Sequence, residues 1–212
     1  MLELDAITIA APSRPLVRAL SARVAPGDVL TVMGESGAGK SSLLAYLAGT
    51  LPDGFVASGA VRLDGRRIEA LPTVQRRVGL LFQDDLLFPH MTVLENLLFA
   101  LPAGARAARV AQAEAALGEA GLAGHGARWP HQLSGGQRAR VSVLRALLSR
   151  PRALLLDEPF SRLDAPLRAR FRGFVFERIA AQRIPAVLVT HDPHDVPPGG
   201  AVLELAAGAG DA

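Results

Sequence analysis

Residues 34–41 read GESGAGKS, and Lys40 within them is the only lysine among 23 basic side chains. A compositional bias toward arginine would have removed this lysine as well. Position 40 therefore asks for a compact ammonium on a flexible stem rather than a planar five-donor fork. The stretch fits the phosphate-loop pattern G-x-x-x-x-G-K-S/T. In such a loop Gly34, Gly37 and Gly39 let the backbone turn its N–H groups inward around a phosphate. Lys40 curls back to the β- and γ-phosphates, and Ser41 offers a hydroxyl to Mg2+. The plainer reading is a flexible glycine turn, and the two differ in context: a phosphate loop needs a strand before it and a helix after it.

Two further stretches carry chemistry. RALLLDEP (152–159) delivers adjacent carboxylates to the end of an apolar strand, where open α/β sheets place their sites. Asp157 is placed to hold Mg2+ or its waters, and Glu158 to polarise an attacking water. On their own, paired acids at a strand end are common surface features. LSGGQ (133–137) has capping-box spacing from Ser134 to Gln137, which by itself marks only a helix start. Two glycines in a first helical turn cost up to about 1 kcal/mol each against alanine. That cost makes sense if bare backbone N–H groups must approach an anion closely.

The elements that must position these groups are readable from periodicity. LELDAITIA (2–10) alternates as a half-buried strand, and DVLTVM (28–33) is a buried strand running into the glycine loop. SSLLAYLAG (41–49) has helical spacing, so the phosphate loop has the context it needs. VASGAVRLDG (56–65) reads as an antiparallel strand turning at Asp64-Gly65. Further strands are expected at 77–83, 152–157 and 185–191, the last two apolar enough to be central in a parallel sheet. From Pro89 to Arg150 the pattern turns helical, with a capping box from Thr92 to Glu95 and Ala-rich helices around 105–120 and 137–149. The expectation is a single domain over 1–212: an α/β core with an antiparallel β part (1–88 and 151–212) and an inserted helical subdomain at about 89–150. The tail AAGAGDA is expected to fray.

Composition limits the rest. Half of the 212 residues are hydrophobic and a fifth are charged, which is globular rather than disordered. No cysteine is present, so disulfides and thiolate metal sites are excluded. The N-terminus lacks a basic and then apolar leader, and no charge-free apolar run approaches ~20 residues. A net charge of +3, one Tyr and one Trp give no aromatic-studded basic face, so no nucleic-acid partner is expected.

The ordered set GESGAGKS, Gln83, LSGGQ, LLLDEP, SRLD and VTH, spanning roughly residues 2–195, resembles the ATP-binding-cassette (ABC) ATPases. The fold that this resemblance implies is the P-loop NTPase ABC-ATPase fold. It further implies that ATP is cradled by Gly34, Glu35, Ser36, Gly37, Ala38, Gly39, Lys40, Ser41 and Ser42. Ser41, Gln83 and Asp157 would serve Mg2+, Glu158 would be the general base, and His191 would contact the γ-phosphate and hold base and water in line. In a head-to-tail homodimer Ser134, Gly135, Gly136 and Gln137 would close on the partner's nucleotide, with Asp164 at the seam. His90, His125, His131 and His194 have no such support and read as structural or exposed.

A single cassette with LPTVQRRVGLLFQDDLLFPHMTV (71–93) and LLLDEPFSRLDAPLR (154–168) resembles the bacterial importer type, within it the short YnjD-like group, with thiamine-importer ATPases next. The stretch FQDDLLFPHMTVLENLLFAL (82–101) is similar to the region that, in transporter cassettes, grips short cytoplasmic helices of a permease. The implied setting is peripheral, on the cytoplasmic face of the cell membrane, energising an integral-membrane permease served by an extracytoplasmic solute-binding protein. An exporter subunit is the alternative within transport; a soluble cassette ATPase acting on DNA or ribosomes is the alternative outside it. About twenty residues follow His191, too few for the C-terminal regulatory domain of some importer ATPases. The family also usually supplies an aromatic ring before the phosphate loop to stack on adenine, yet residues 2–31 hold no Phe, Tyr, Trp or His. Either Arg14 or Arg18 stacks instead or base contact is simply weak, and loose discrimination of ATP from GTP is the expectation.

Overall fold

The computed structural model describes residues 1–82 and 84–205 of the chain. Two compact units emerge: residues 1–80, 152–158 and 179 onward form the first, and 81–151 with 159–178 the second.

In the first unit, β1 (Leu2–Ala11) lies between β2 (Arg14–Val24) and β4 (Val56–Leu63), antiparallel to both, and β5 (Arg66–Arg67) extends β4. The turn at Asp64-Gly65 falls where the sequence placed it. A second sheet has the order β6 (Val78–Leu81), β7 (Ala153–Asp157), β8 (Ala186–Val189), β3 (Val29–Gly34) and β9 (Ala201–Leu205). The pairs β7–β8, β8–β3 and β3–β9 are parallel. Leu154, Leu155, Leu156, Val187 and Leu188 are fully buried, as central parallel strands require.

Helix α1 (Lys40–Ala48) is nine residues long, too short to be stable alone in water. Its support is tertiary. Leu43, Leu44 and Leu47 are buried in a core that also holds Leu2, Ile7 and Ile9 of β1 and Val187 of β8. Each such side chain contributes about 1.5–3 kcal/mol over leaving it exposed. The far end of α1 is closed by buried Arg76, whose Nη1 donates to the carbonyls of Tyr46 (2.6 Å) and Leu47 (3.1 Å). A cation there satisfies orphan carbonyls and suits the helix dipole. Arg76 itself ends the short helix α2 (Thr73–Arg76).

The second unit contains α3 (Val93–Ala100), α4 (Arg106–Glu119), α5 (Gly135–Leu148) and most of α6 (Ala165–Gln182). α3 opens with the capping box expected at Thr92: the Thr92 hydroxyl accepts from Glu95 N–H, and the Glu95 carboxylate accepts from Thr92 N–H at 2.7 Å. The next two orphan donors of α3 are met by a loop, Val93 N–H by the Arg128 carbonyl (2.8 Å) and Leu94 N–H by that of Gly126 (2.9 Å). Among the described residues, no helix is long and apolar enough to cross a membrane.

Candidate functional site

The glycine loop leaves β3 and enters α1, the strand–loop–helix context of a phosphate cradle. Gly39 is the N-cap of α1 with φ 92°, and a Cβ there would meet Leu16 Cβ at 2.8 Å. Both facts demand glycine. No side chain caps α1, so the N-terminal donors of the helix face the loop rather than a serine or aspartate. The Lys40 ammonium, 8% exposed, curls back to donate to the Gly34 and Glu35 carbonyls, both at 2.8 Å. A compact ammonium on a flexible stem makes that turn as a point charge, a role that a planar fork does not reproduce, and this fits the lone lysine. Glu35, Ser36 and Gly37 are exposed around the loop, Ala38 is buried beneath it, and Ser41 and Ser42 follow in the first turn of α1.

At the end of β7 the Asp157 carboxylate lies near enough to the Ser41 hydroxyl and the Lys40 ammonium to be influenced by both. Burial is the main influence on Asp157 and raises its pKa above the ordinary aspartate value; Ser41 and Lys40 pull the other way, and neighbouring Glu158 adds to the rise. A partly desolvated carboxylate beside a hydroxyl is a hard-oxygen pair suited to Mg2+, which a cation's charge would stabilise. Among the described residues, no cluster of three or more His, Asp or Glu could hold a metal by itself. Mg2+ takes one or two carboxylates from a protein and completes its shell with waters and phosphates.

Glu158 sits at φ 46°, a left-handed conformation that is unfavourable by about 1–2 kcal/mol for a residue with a Cβ. Its N–H donates to the Val189 carbonyl at 2.9 Å, fastening the strained residue to the end of β8. That turn directs its side chain to His191, whose Nδ1 donates to Glu158 Oε1 at 3.0 Å. The carboxyl is 21% exposed and the imidazole 67%, so water reaches the pair from the imidazole side. Behind His191, the buried Thr190 hydroxyl donates to Asp195 at 2.9 Å and accepts from Asp192 N–H at 3.1 Å. Thr190, although it lies within VTH, and Asp195 have no role assigned from the sequence, because each acts through the turn.

The structure thus brings Lys40, Ser41, Asp157, Glu158 and His191 into one unit. Arg14 joins them: its guanidinium donates to the Gly37 carbonyl at 2.8 Å, while Arg18 is exposed on β2. Gln83, expected as a metal and nucleotide residue, lies outside the described residues, as does the AAGAGDA tail.

In the second unit Ser134 is the N-cap of α5. Its hydroxyl accepts from Gln137 N–H (3.3 Å), and the Gln137 side-chain oxygen accepts from Ser134 N–H (2.9 Å). A Cβ on Gly136 would meet Leu163 Cδ2 at 3.0 Å, so this glycine also serves packing. A Cβ on Gly135 would meet only the Arg138 guanidinium, at an ordinary 3.8 Å. The next residue, Arg138, donates to Asp85 (3.1 Å), and Arg162 donates to Asp84 (3.0 Å) and Asp85 (3.4 Å). Asp164 accepts from Leu167 N–H at 3.0 Å, the capping role that its place before α6 allows.

Comparison with known proteins gives the same reading. A family model described as ABC transporter matches residues 17–161. The ABC transporter ATP-binding protein YnjD of Escherichia coli (strain K12) is 48% identical over 207 residues, covering 97% of this chain and 95% of that protein. The Fe(3+) ions import ATP-binding protein FbpC of Pseudomonas fluorescens (strain Pf0-1) is 44% identical over 167 residues, 76% of this chain and 46% of FbpC. The chain therefore spans nearly all of YnjD but about half the length of FbpC. Among solved structures, the ATP-binding cassette MJ0796, a dimer in a post-hydrolysis state with ADP and Pi, superposes with TM-score 0.81 at 26% identity, covering 99% of this chain and 97% of that one.

Proposed function

The chain belongs to the ABC transporter family and is an ATP-binding, ATP-hydrolysing transporter subunit; from that premise we propose that it energises a bacterial importer of a small solute. The observation that carries the catalytic part is the Glu158–His191 pair beside Ser41, Asp157 and Lys40. Glu158 takes the proton of the attacking water, and His191 holds the carboxylate in line. Lys40 and the loop N–H groups meet charge that develops on the phosphoryl oxygens. Asp157 and Ser41 would hold Mg2+, with Gln83 as a further ligand, and the ion would supply positive charge against the phosphates.

Two copies pair head to tail in the ATP-bound state, each offering its Ser134–Gln137 helix end and Asp164 to the nucleotide of the other. The dimeric state of MJ0796 supports this reading. Closure pulls on an integral-membrane permease, which the stretch 82–101 grips; Phe82, Leu86 and Phe99 are exposed there, the last at 65%. The chain is then peripheral on the cytoplasmic face of the membrane, and an extracytoplasmic solute-binding protein delivers the cargo. The FbpC relatives are named for Fe(3+), but the permease and binding protein select the cargo, so the proposal stops at a small solute. Arg14, held over the loop at Gly37, takes the place of an aromatic base contact, and turnover of ATP and GTP at comparable rates is expected.

The test is a pull-down of Glu158→Gln protein with ATP from detergent-solubilised native membranes. Co-elution of a polytopic membrane protein is expected. Recovery of only ribosomal or nucleic-acid-bound proteins would replace transport with a soluble cassette function.

A further inference from the structure

We propose that His125 is a positioning residue that orients Gln137 and thereby fixes the N-terminus of α5. This rests on the reading above that this helix end engages nucleotide. The sequence offers no reason to single out His125. In the structure its Nε2 lies 3.3 Å from Gln137 Nε2, and its Nδ1 lies 3.1 Å from the Ala123 carbonyl.

Only one assignment of protons satisfies all partners. The Ala123 carbonyl can only accept, so Nδ1 carries the hydrogen and Nε2 is left with its lone pair. At the other end, Ser134 N–H can only donate, so Gln137 must turn its oxygen toward Ser134 and its NH2 away. That NH2 meets the Nε2 lone pair. The result is a continuous run of donors and acceptors from the Ala123 carbonyl through His125 and Gln137 to the backbone of Ser134. Reversing the Gln137 amide would break the contacts at both of its ends.

The imidazole stands on a fixed base. His125 N–H donates to the Leu122 carbonyl (3.1 Å), and Leu122 is fully buried. One residue beyond, the Gly126 carbonyl accepts from Leu94 N–H in the first turn of α3, and that of Arg128 accepts from Val93 N–H. The loop that carries His125 is thus fastened to the start of a capped helix. His125 in turn removes the freedom of Gln137, whose side chain otherwise rotates out of the capping box. With Gln137 held, the Gly135 and Gly136 N–H groups keep one orientation.

Nitrogen-15 NMR of histidine-labelled full-length protein, above the titration of the ring, tests the proton assignment directly. The Nδ1–H form is expected at His125, and the Nε2–H form would overturn the proposal. Steady-state kinetics then test the role. His125→Leu should lower kcat about 2- to 10-fold, the worth of one lost neutral hydrogen bond, and leave single-chain nucleotide affinity unchanged. His125→Gln, whose side-chain oxygen reaches the place of Nε2, should restore kcat. Parental turnover in His125→Leu, or no rescue by His125→Gln, would overturn the positioning role. The NMR result does not depend on dimerisation; failure of ATP to dimerise Glu158→Gln protein would instead count against the proposed function.

Discussion

The N-termini of α1 and α5 both open on glycine, and they are finished in opposite ways. At α1 the N-cap is left-handed Gly39 with no side-chain cap, and an ammonium is folded over the entrance. At α5 the N-cap is Ser134, with a reciprocal capping box, and His125 braces the box from behind. An uncapped helix end keeps its donors for an anion and supplies a cation to meet it. A capped one has used part of its donors internally and offers the rest from a rigid frame. On the proposed function the difference implies unequal work: α1 would hold the nucleotide, whereas α5 would add a smaller contact whose value is its fixed geometry.

Substitutions can break or sharpen that contrast. The largest effect belongs to α1: Lys40→Ala should lower ATP turnover about a hundredfold or more, measured as phosphate release. Lys40→Arg should do nearly as badly, because at an 8% exposed site a planar fork does not replace a compact point charge. Next, Glu158→Gln should remove turnover while ATP still binds, read by equilibrium binding and single-turnover assay; turnover at the parental rate would remove Glu158 as the base.

The glycines of α5 come third, and they separate two reasons for being glycine. Gly136→Ala gains on helix propensity but brings its Cβ against Leu163 and the Arg162 carbonyl, so it should be less stable than Gly135→Ala. Gly135→Ala has room and should stabilise by up to about 1 kcal/mol on helix propensity, while lowering turnover if the N–H is needed at close range. A denaturant titration beside an ATPase assay reads both. Full activity in Gly135→Ala would show that α5 makes no close backbone contact with nucleotide.

The smallest effect concerns Asp157. Its folded-state pKa is raised by burial, so between the ordinary aspartate value and the raised one the folded chain holds more protons than the unfolded chain. Stability therefore falls as pH rises through that window, and the penalty persists at neutral pH. Asp157→Asn should raise the Tm of the nucleotide-free protein at pH 7, and the gain should vanish below the ordinary aspartate pKa.

The chemistry was legible because phosphate loops and paired strand-end carboxylates are local in sequence, and the strands that carry them are apolar runs. β2 was not legible. Its buried residues Val17, Leu20 and Val24 are spaced by three and four, a helical pattern, because register shifts break the β1–β2 ladder. Ala6 and Ala19, both with positive φ, lie in that interrupted stretch. α6 hides for another reason: Pro166 in its first turn and Gly173 in its interior read as breakers, though buried Phe171, Val175 and Ile179 keep one face apolar. Arg14 was legible only as a candidate. His125 was not legible at all, since its partner lies twelve residues away across a loop and follows no motif.

One measurement tests the division of labour most directly. The chain has no cysteine, so any disulfide must join introduced residues. Ser36→Cys and Ser134→Cys are placed together in the Glu158→Gln background, and oxidant is added with and without ATP. An ATP-dependent covalent dimer is the expected result if, as proposed, the loop of one copy meets the α5 end of the other. A disulfide that closes within one chain at monomer mass, or no cross-link when ATP is bound, would contradict it.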